Sequence, residues 1–270
     1  MKRTKLLSGF LGVAMMFTAF GAFADEAADV AKISATLPVP DYSVTTLLMD
    51  LIDKNGTVTE HRVIEQFGSK KNGITSTVFE FASPASIKST RVLQAEKANK
   101  EDDKWIYLPS LKTTRRIATA ERSKAFVGSD YTYNDMTIRK FEDDEHTMID
   151  ANASITVGGK TYSAWKIKSF PVANKAIEYA YRIQYIDKVS YLPLKQEFYN
   201  KQDKMIKVAE LLDHGEVMGE TGKKYQLRKC QTMTNLVTGH TTKVTVAKIK
   251  LDAPISDTYF TQNWLNTGKK

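Results

Sequence analysis

The chain has 270 residues, of which 26% are charged and 42% hydrophobic, a formal net charge of +8 and one cysteine, Cys230. A lone thiol excludes an internal disulfide, so packing must hold the fold, and the length allows one good core or two small ones. The basic excess is modest and scattered; it suits an acidic surface such as anionic headgroups, and no nucleic-acid motif accompanies it.

The first residues have the three parts of a secretory signal. Lys2, Arg3 and Lys5 are basic, Leu6 to Phe20 is mostly apolar, and Ala22-Phe23-Ala24 ends in a cleavage site before Asp25-Glu26. The apolar run is shorter than the ~20 residues of a spanning helix. Cleavage after Ala24 leaves residues 25–270 as a single domain, with a net charge of +5. No cysteine lies near the cut, so the exported product is expected to be soluble and free of lipid anchors.

A short helix is expected from Glu26 to Ser34. Beyond it the dominant period is two. Strands are expected near 43–53, 57–67, 74–82, 87–95, 103–109, 146–157, 160–169, 177–187, 193–199, 204–213, 223–235 and 241–251. Turn signals such as Asn55-Gly56, Asn72-Gly73 and Gly158-Gly159 separate them. Val244 and Val246 share a face from which Ile249 and Leu251 have slipped, so a bulge is expected near Ala247-Lys248. Ile177, Tyr179, Tyr181 and Ile183 form one aromatic face. Tyr225, Leu227 and Lys229 alternate with Gln226, Arg228 and Cys230, a stretch in which the thiol reads as buried and inert. Two more short helices are expected, Asp130–Met136 capped by Ser129 and Ser256–Trp264 capped by Ser256. Strand after strand joined by short hairpins predicts a mostly β fold built on one large antiparallel sheet, strongly curved around an apolar interior. Lys and Glu on both faces of many strands argue against a membrane barrel.

The most distinctive stretch runs from Trp105 to Met136. It contains Trp105-Ile106-Tyr107-Leu108-Pro109-Ser110-Leu111, then Arg115-Arg116-Ile117, then Phe126-Val127-Gly128-Ser129-Asp130-Tyr131-Thr132-Tyr133-Asn134-Asp135-Met136. This pattern resembles the signature of the outer-membrane lipoprotein-sorting proteins, relatives of the periplasmic carrier LolA. The resemblance implies an incomplete antiparallel barrel with a few short helices over a cavity for acyl chains. It implies a periplasmic location and lipid or lipoprotein acyl chains as cargo. It also implies work beside an inner-membrane exporter of the RND (MMPL-like) type, or in sorting to the outer membrane, with peripheral membrane contact. The sensor RseB resembles the same fold, so an envelope sensor or protein-interaction module is the alternative.

Read residue by residue, Trp105, Tyr107 and Pro109 share one strand face and Ile106 and Leu108 the other, which suggests a strand covered on both sides. Pro109 should end it. Trp105, Tyr107, Leu108, Phe126, Tyr131, Tyr133, Met136, Tyr179, Tyr181 and Ile183 are the expected cavity-lining residues. Arg115 and Arg116 are expected to pair with Asp130 or Asp135 and, with Gly128 and Ser129, to lock the corner. The four histidines are far apart and no nucleophile elbow, metal-ligand spacing or phosphate loop occurs. The chain is therefore expected to be no enzyme and to carry no cofactor or metal.

Overall fold

The computed structural model describes residues 18–98, 100–137, 139–173 and 177–269. Most of the expected leader, residues 1–17, lies outside the described residues. Helix α1 runs Thr18–Ala35 across the expected cleavage point, and its packed residues Ala27, Val30 and Ala31 all follow that point. No helix among the described residues is long and apolar enough to cross a membrane.

Thirteen strands follow: β1 (Tyr42–Ile52), β2 (Val58–Lys71), β3 (Ile74–Ser83), β4 (Arg91–Lys97), β5 (Lys100–Leu108), β6 (Thr113–Arg116), β7 (Asp144–Val157), β8 (Lys160–Pro171), β9 (Tyr181–Asp187), β10 (Pro193–Tyr199), β11 (Met205–Met218), β12 (Lys224–Asn235) and β13 (Thr241–Leu251). Helix α2 (Gln262–Thr267) ends the described chain. The strands form one antiparallel sheet in the order β6-β5-β4-β3-β2-β1-β13-β12-β11-β10-β9-β8-β7. Only the β1–β13 pairing joins the two chain ends, so the sheet is two meanders fused at its middle.

The sheet is curved and unclosed, and both free edges are blunted. β6 is four residues long and β7 carries two register shifts, at Met148/Asp150 and Asp150/Ala153, devices that discourage edge-to-edge pairing. Twelve strands overlap the expected ones, with β4 and β9 each beginning four residues later than expected, at Arg91 and Tyr181. β6 was not among them, because Thr113–Arg116 has no apolar alternation and becomes a strand only by pairing with β5. The expected bulge is present: Thr46 faces Lys248 and Leu47 faces Val246, so Ala247 has no partner. β5 stops at Leu108, one residue before Pro109.

The register assigns faces. Leu47 and Met49 on β1, Ile64 on β2, Phe79 and Phe81 on β3, Val92 on β4, Ile106 on β5, Phe198 on β10 and Met233 on β12 share one buried cluster on the concave side. On the convex side of β2–β5, Phe67, Val78, Leu93, Trp105 and Tyr107 pack under Tyr259, Trp264 and Leu265 of the C-terminal segment. Ser256 caps a 3-10 turn, Asp257–Phe260, and Thr261 caps α2 by accepting from Trp264 N, so the single expected helix is two pieces. α1 lies on the concave side of β8 and β9, where Val30 meets Ile167 and Ile186 and Trp165 Nε1 donates to Glu26 at 3.1 Å.

The β7–β8 hairpin is pressed against β11 at its tip. A Cβ on Gly158, which has φ +57°, would sit 2.0 Å from the Leu212 carbonyl oxygen. Gly158→Ala combines a strained backbone with a main-chain clash. It is expected to cost about 2 kcal/mol, measured as a shift in the urea unfolding midpoint.

Candidate functional site

Residues 117–137 leave the sheet after β6 and cross its concave side as a strap. Apolar side chains dictate that path. Phe126 is fully buried, with its ring edge-on to Phe79 at 5.3 Å and to Tyr133 at 5.6 Å and tilted against Phe81 at 6.0 Å. Ile117, Tyr131 and Tyr133 join the same cluster, with Met136 and Leu108 at its margin.

Polar anchors fix the strap at several points. Arg62 on β2 pairs with Glu60 and donates from Nη1 to the Val127 carbonyl at 2.6 Å. Val127 and Gly128 both have positive φ, +47° and +76°, which turns the chain sharply here. The Asp130 amide donates to Thr242 Oγ1 at 2.9 Å, while its carboxylate accepts from Thr242 at 2.7 Å and lies 2.8 Å from His240 Nδ1. Asp135 accepts from Tyr179 Oη at 3.0 Å and from the Thr132 amide at 2.8 Å, with Lys207 Nζ at 3.5 Å. Burial and the Asp135 carboxylate raise the Tyr179 phenol well above its ordinary pKa, so it remains a donor. Glu178 accepts from Thr132 and Asn134, both at 2.7 Å. At the far end Lys104 donates to Gln94 and Thr137.

The strap fills the concavity over β2–β5. Over β11–β13 the concave side is less filled. Ala209, Val244 and Val246 belong to the main cluster but stay half-buried. Farther along, at the Asp144 end of β7–β9 and beyond the apolar contact with α1, the concave lining becomes polar. There Asp144 receives both Arg139 and Arg182, and His146 reaches Ser169 at 2.9 Å. Burial holds both the Arg182 guanidinium and the His146 imidazole below their ordinary pKa.

The wall here also parts. β12 and β13 pair only from Cys230↔Thr245 to Thr234↔Thr241. Beyond Cys230, β12 stays with β11 and β13 with β1. The two strands meet again at the bottom, where Tyr225 Oη donates to Asp252 at 2.9 Å and Glu220 N to the Leu251 carbonyl at 3.1 Å. Residues 226–229 and 246–250 thus border a window framed at both ends.

A family model described as uncharacterized-protein-like matches residues 73–267. The chain belongs to that family. Its fold recurs in solved structures. A DUF1329 family protein from Desulfovibrio piger has a TM-score of 0.79 at 19% identity, over 90% of this chain and 99% of that one. An outer membrane lipoprotein-sorting protein domain from Vibrio parahaemolyticus has 0.78 at 23%, over 90% and 99%. A LolA superfamily protein from Nitrosomonas europaea has 0.61 at 14%, over 88% and 98%. At these identities the likeness is one of fold, and the fold is LolA-like. No curated protein matches the sequence.

Within this LolA-like fold the residues singled out in the sequence divide by face. Leu108, Phe126, Tyr131, Tyr133, Met136 and Tyr179 gather on the concave side. Trp105 and Tyr107 do not: they face the convex side beneath α2, because the opposite set, Ile106 and Leu108, points inward. Tyr181 and Ile183 are also convex. Tyr181 stacks on Tyr199 at 4.5 Å and carries Lys168 over its ring at 3.7 Å. The expected helix over Asp130–Met136 is replaced by turns that follow an isolated bridge, Ala125↔Thr132, and Ser129 caps nothing. Arg115 and Arg116 pair with nearer acids, Glu121 and Asp103, rather than with Asp130 or Asp135. Lys124 and Arg115, both donating to it, bring the Glu121 carboxyl down to about 2.

Sequence reasoning missed Arg62, Lys104, Glu178, Lys207, Arg228 and Thr242. A charged residue at an inward position of an alternating strand was the available signal for Arg62 and Lys104. Among the described residues no three His, Cys, Asp or Glu side chains are grouped to hold a metal.

Proposed function

We propose that this protein is an exported carrier that shields lipid or lipoprotein acyl chains in the hollow between the strap and the β11–β13 wall. It would work in the periplasm, beside an RND-type exporter or in sorting to the outer membrane. The observation that carries this reading is the half-covered apolar lining at Ala209, Val244 and Val246 beside a parted strand pair. A compact protein ordinarily closes such a gap with its own side chains. An acyl chain moving between membranes loses about 0.8 kcal/mol per exposed methylene, so even partial shielding lowers the barrier steeply. The relatives named for lipoprotein sorting and for the LolA superfamily support the same reading.

The test uses residues 25–270 after removal of lipid by organic extraction. A fluorescent long-chain acyl probe is expected to bind, and native mass spectrometry of the unextracted protein is expected to show lipid adducts. Val246→Asp, on the concave side, is expected to weaken the probe by about tenfold or more, since it places a carboxylate against the chain. Thr245→Asp, one residue away on the convex face, is expected to leave binding unchanged. A protein that carries no adduct and binds no probe defeats the proposal.

A further inference from the structure

One arginine on the concave side has no acid among the described residues. Arg62, Arg139 and Arg182 on this side each hold a carboxylate. Arg228 on β12 holds none among the described residues. Its position follows from the register. Leu211 faces Gln231, Asp213 faces Cys230, and His214 faces Arg228, so β12 is one residue longer than β11 at Lys229. That bulge turns Arg228 to the side of Gln231 and Met233, the concave side. The Tyr131 phenol on the strap feels its charge.

Two properties of Arg228 exclude both a surface arginine and a packed one. Its side chain is exposed, yet surrounding protein desolvates the guanidinium enough to lower its pKa. A group on the outer surface keeps its hydration, and a packed one has no exposure. On the concave side and exposed, Arg228 faces an internal space that solvent reaches, and it lies on the border of the β12–β13 window.

Two further polar atoms beside it lack an anionic partner. Among the described residues His214 Nε2 is buried without a hydrogen-bond partner and Tyr131 Oη has only the Gln231 side chain beside it, although buried polar groups are almost always satisfied. Tyr131 projects from the strap and His214 is the register partner of Arg228, its ring 5.6 Å from that of Tyr162. A guanidinium without an anion, a phenol without an anionic acceptor and an imidazole nitrogen that can donate all call for one kind of ligand atom, an anionic oxygen.

We infer that the hollow takes an amphiphile with an anionic oxygen head group, a carboxylate or a phosphate, held by Arg228 with Tyr131 and His214. The acyl tail runs from there along Ala209, Val244 and Val246. This rests on the carrier reading and narrows its cargo.

The experiment compares ligands of one chain length on the extracted protein, residues 25–270, by calorimetry: hexadecanoate, its lysophosphatidic acid counterpart and the neutral methyl ester. At least one anionic ligand is expected to bind about tenfold or more tightly than the ester, and the tighter of the two identifies carboxylate or phosphate as the head group. Arg228→Gln is expected to erase that preference and leave ester binding within about twofold. Arg228→Lys, which keeps the charge but not the fork, is expected to be intermediate and serves where the glutamine variant does not fold. Equal binding of ester and both anions by the unaltered protein overturns the inference while the carrier reading stands. Equal loss of ester and anion in both folded variants also overturns it, since Arg228 would then be structural. Absence of all binding defeats the carrier reading itself.

Discussion

Phe126→Ala is expected to cost about 3–5 kcal/mol of stability, read as a lowered urea midpoint with an unchanged slope. Phe126 is fully buried, and three aromatic neighbours close around it from two sides, Phe79 and Phe81 from the sheet and Tyr133 from the strap. The size of the loss depends on whether the surroundings can collapse into the void. Here neither side can move far. The sheet side is fixed by its ladder. The strap is held by the Arg62–Val127 bond at 2.6 Å and by Asp130 on Thr242. The cost should therefore fall in the upper part of the range. The same measurement decides what the strap is. A carrier needs some element that admits cargo, and a strap that swings as a lid would relax into the space and lose less than about 1 kcal/mol. The number and burial of its anchors make it a fixed insert. On the carrier reading proposed above, admission would belong to the β12–β13 window, which needs no anchor to break.

The fold was legible because the alternation of this sequence is strong and its turns are punctuated by glycine and asparagine. Faces were harder. Ile106 and Leu108 alternate with Trp105 and Tyr107, and both sets are buried, one under the strap and one under the C-terminal segment. An even two-residue period carries no information about which side is inside when both sides are covered. The run Ile177–Tyr185 failed for a different reason. Its period is unbroken, but β9 begins only at Tyr181. Glu178 leaves the sheet plane to bind Thr132 and Asn134, so Tyr179 packs on Phe198 inside while Tyr181 stacks on Tyr199 outside. Arg228 was hidden by one residue. The sequence puts it on a face with Gln226 and Cys230, and the bulge at Lys229 separates it from Cys230, whose thiol is half-buried beside Thr245 on the convex side. The signature motif is a set of contacts to distant strands: Asp130 to β13, Asp135 to Tyr179 and Lys207, Arg62 to Val127. Such pairings join residues up to 112 positions apart, and nearer acids captured Arg115 and Arg116 first.

Lys104 supplies the second large effect, and it appears as a pH dependence. Its side chain points to the concave side and is 2% exposed, with its amine on Gln94 and Thr137. Burial, opposed by the nearby Asp102, lowers its pKa to about 8. In the unfolded chain the amine keeps the ordinary lysine value near 10.4. Between these two values the unfolded chain binds more protons than the folded one, so stability rises with pH across the window. Below pH 8 the folded protein carries a charge in a poorly solvated place; above it that charge is shed. The gain is on the order of 3 kcal/mol over the whole window, at 1.36 kcal/mol per unit. Other groups titrate in the same range, so the measurement is a difference. Unfolding free energies of the protein and of Lys104→Met are compared at pH 7 and pH 10.5, and the unaltered protein is expected to gain on the variant by that amount. A difference that stays flat would mean that Gln94 and Thr137 compensate the ammonium fully, and that the strap end at Thr137 is held by a charge rather than in spite of one. The rising difference expected here implies the opposite. This end of the strap then binds more firmly as the lysine loses its proton, while the other end stays on its Asp130 and Asp135 hydrogen bonds.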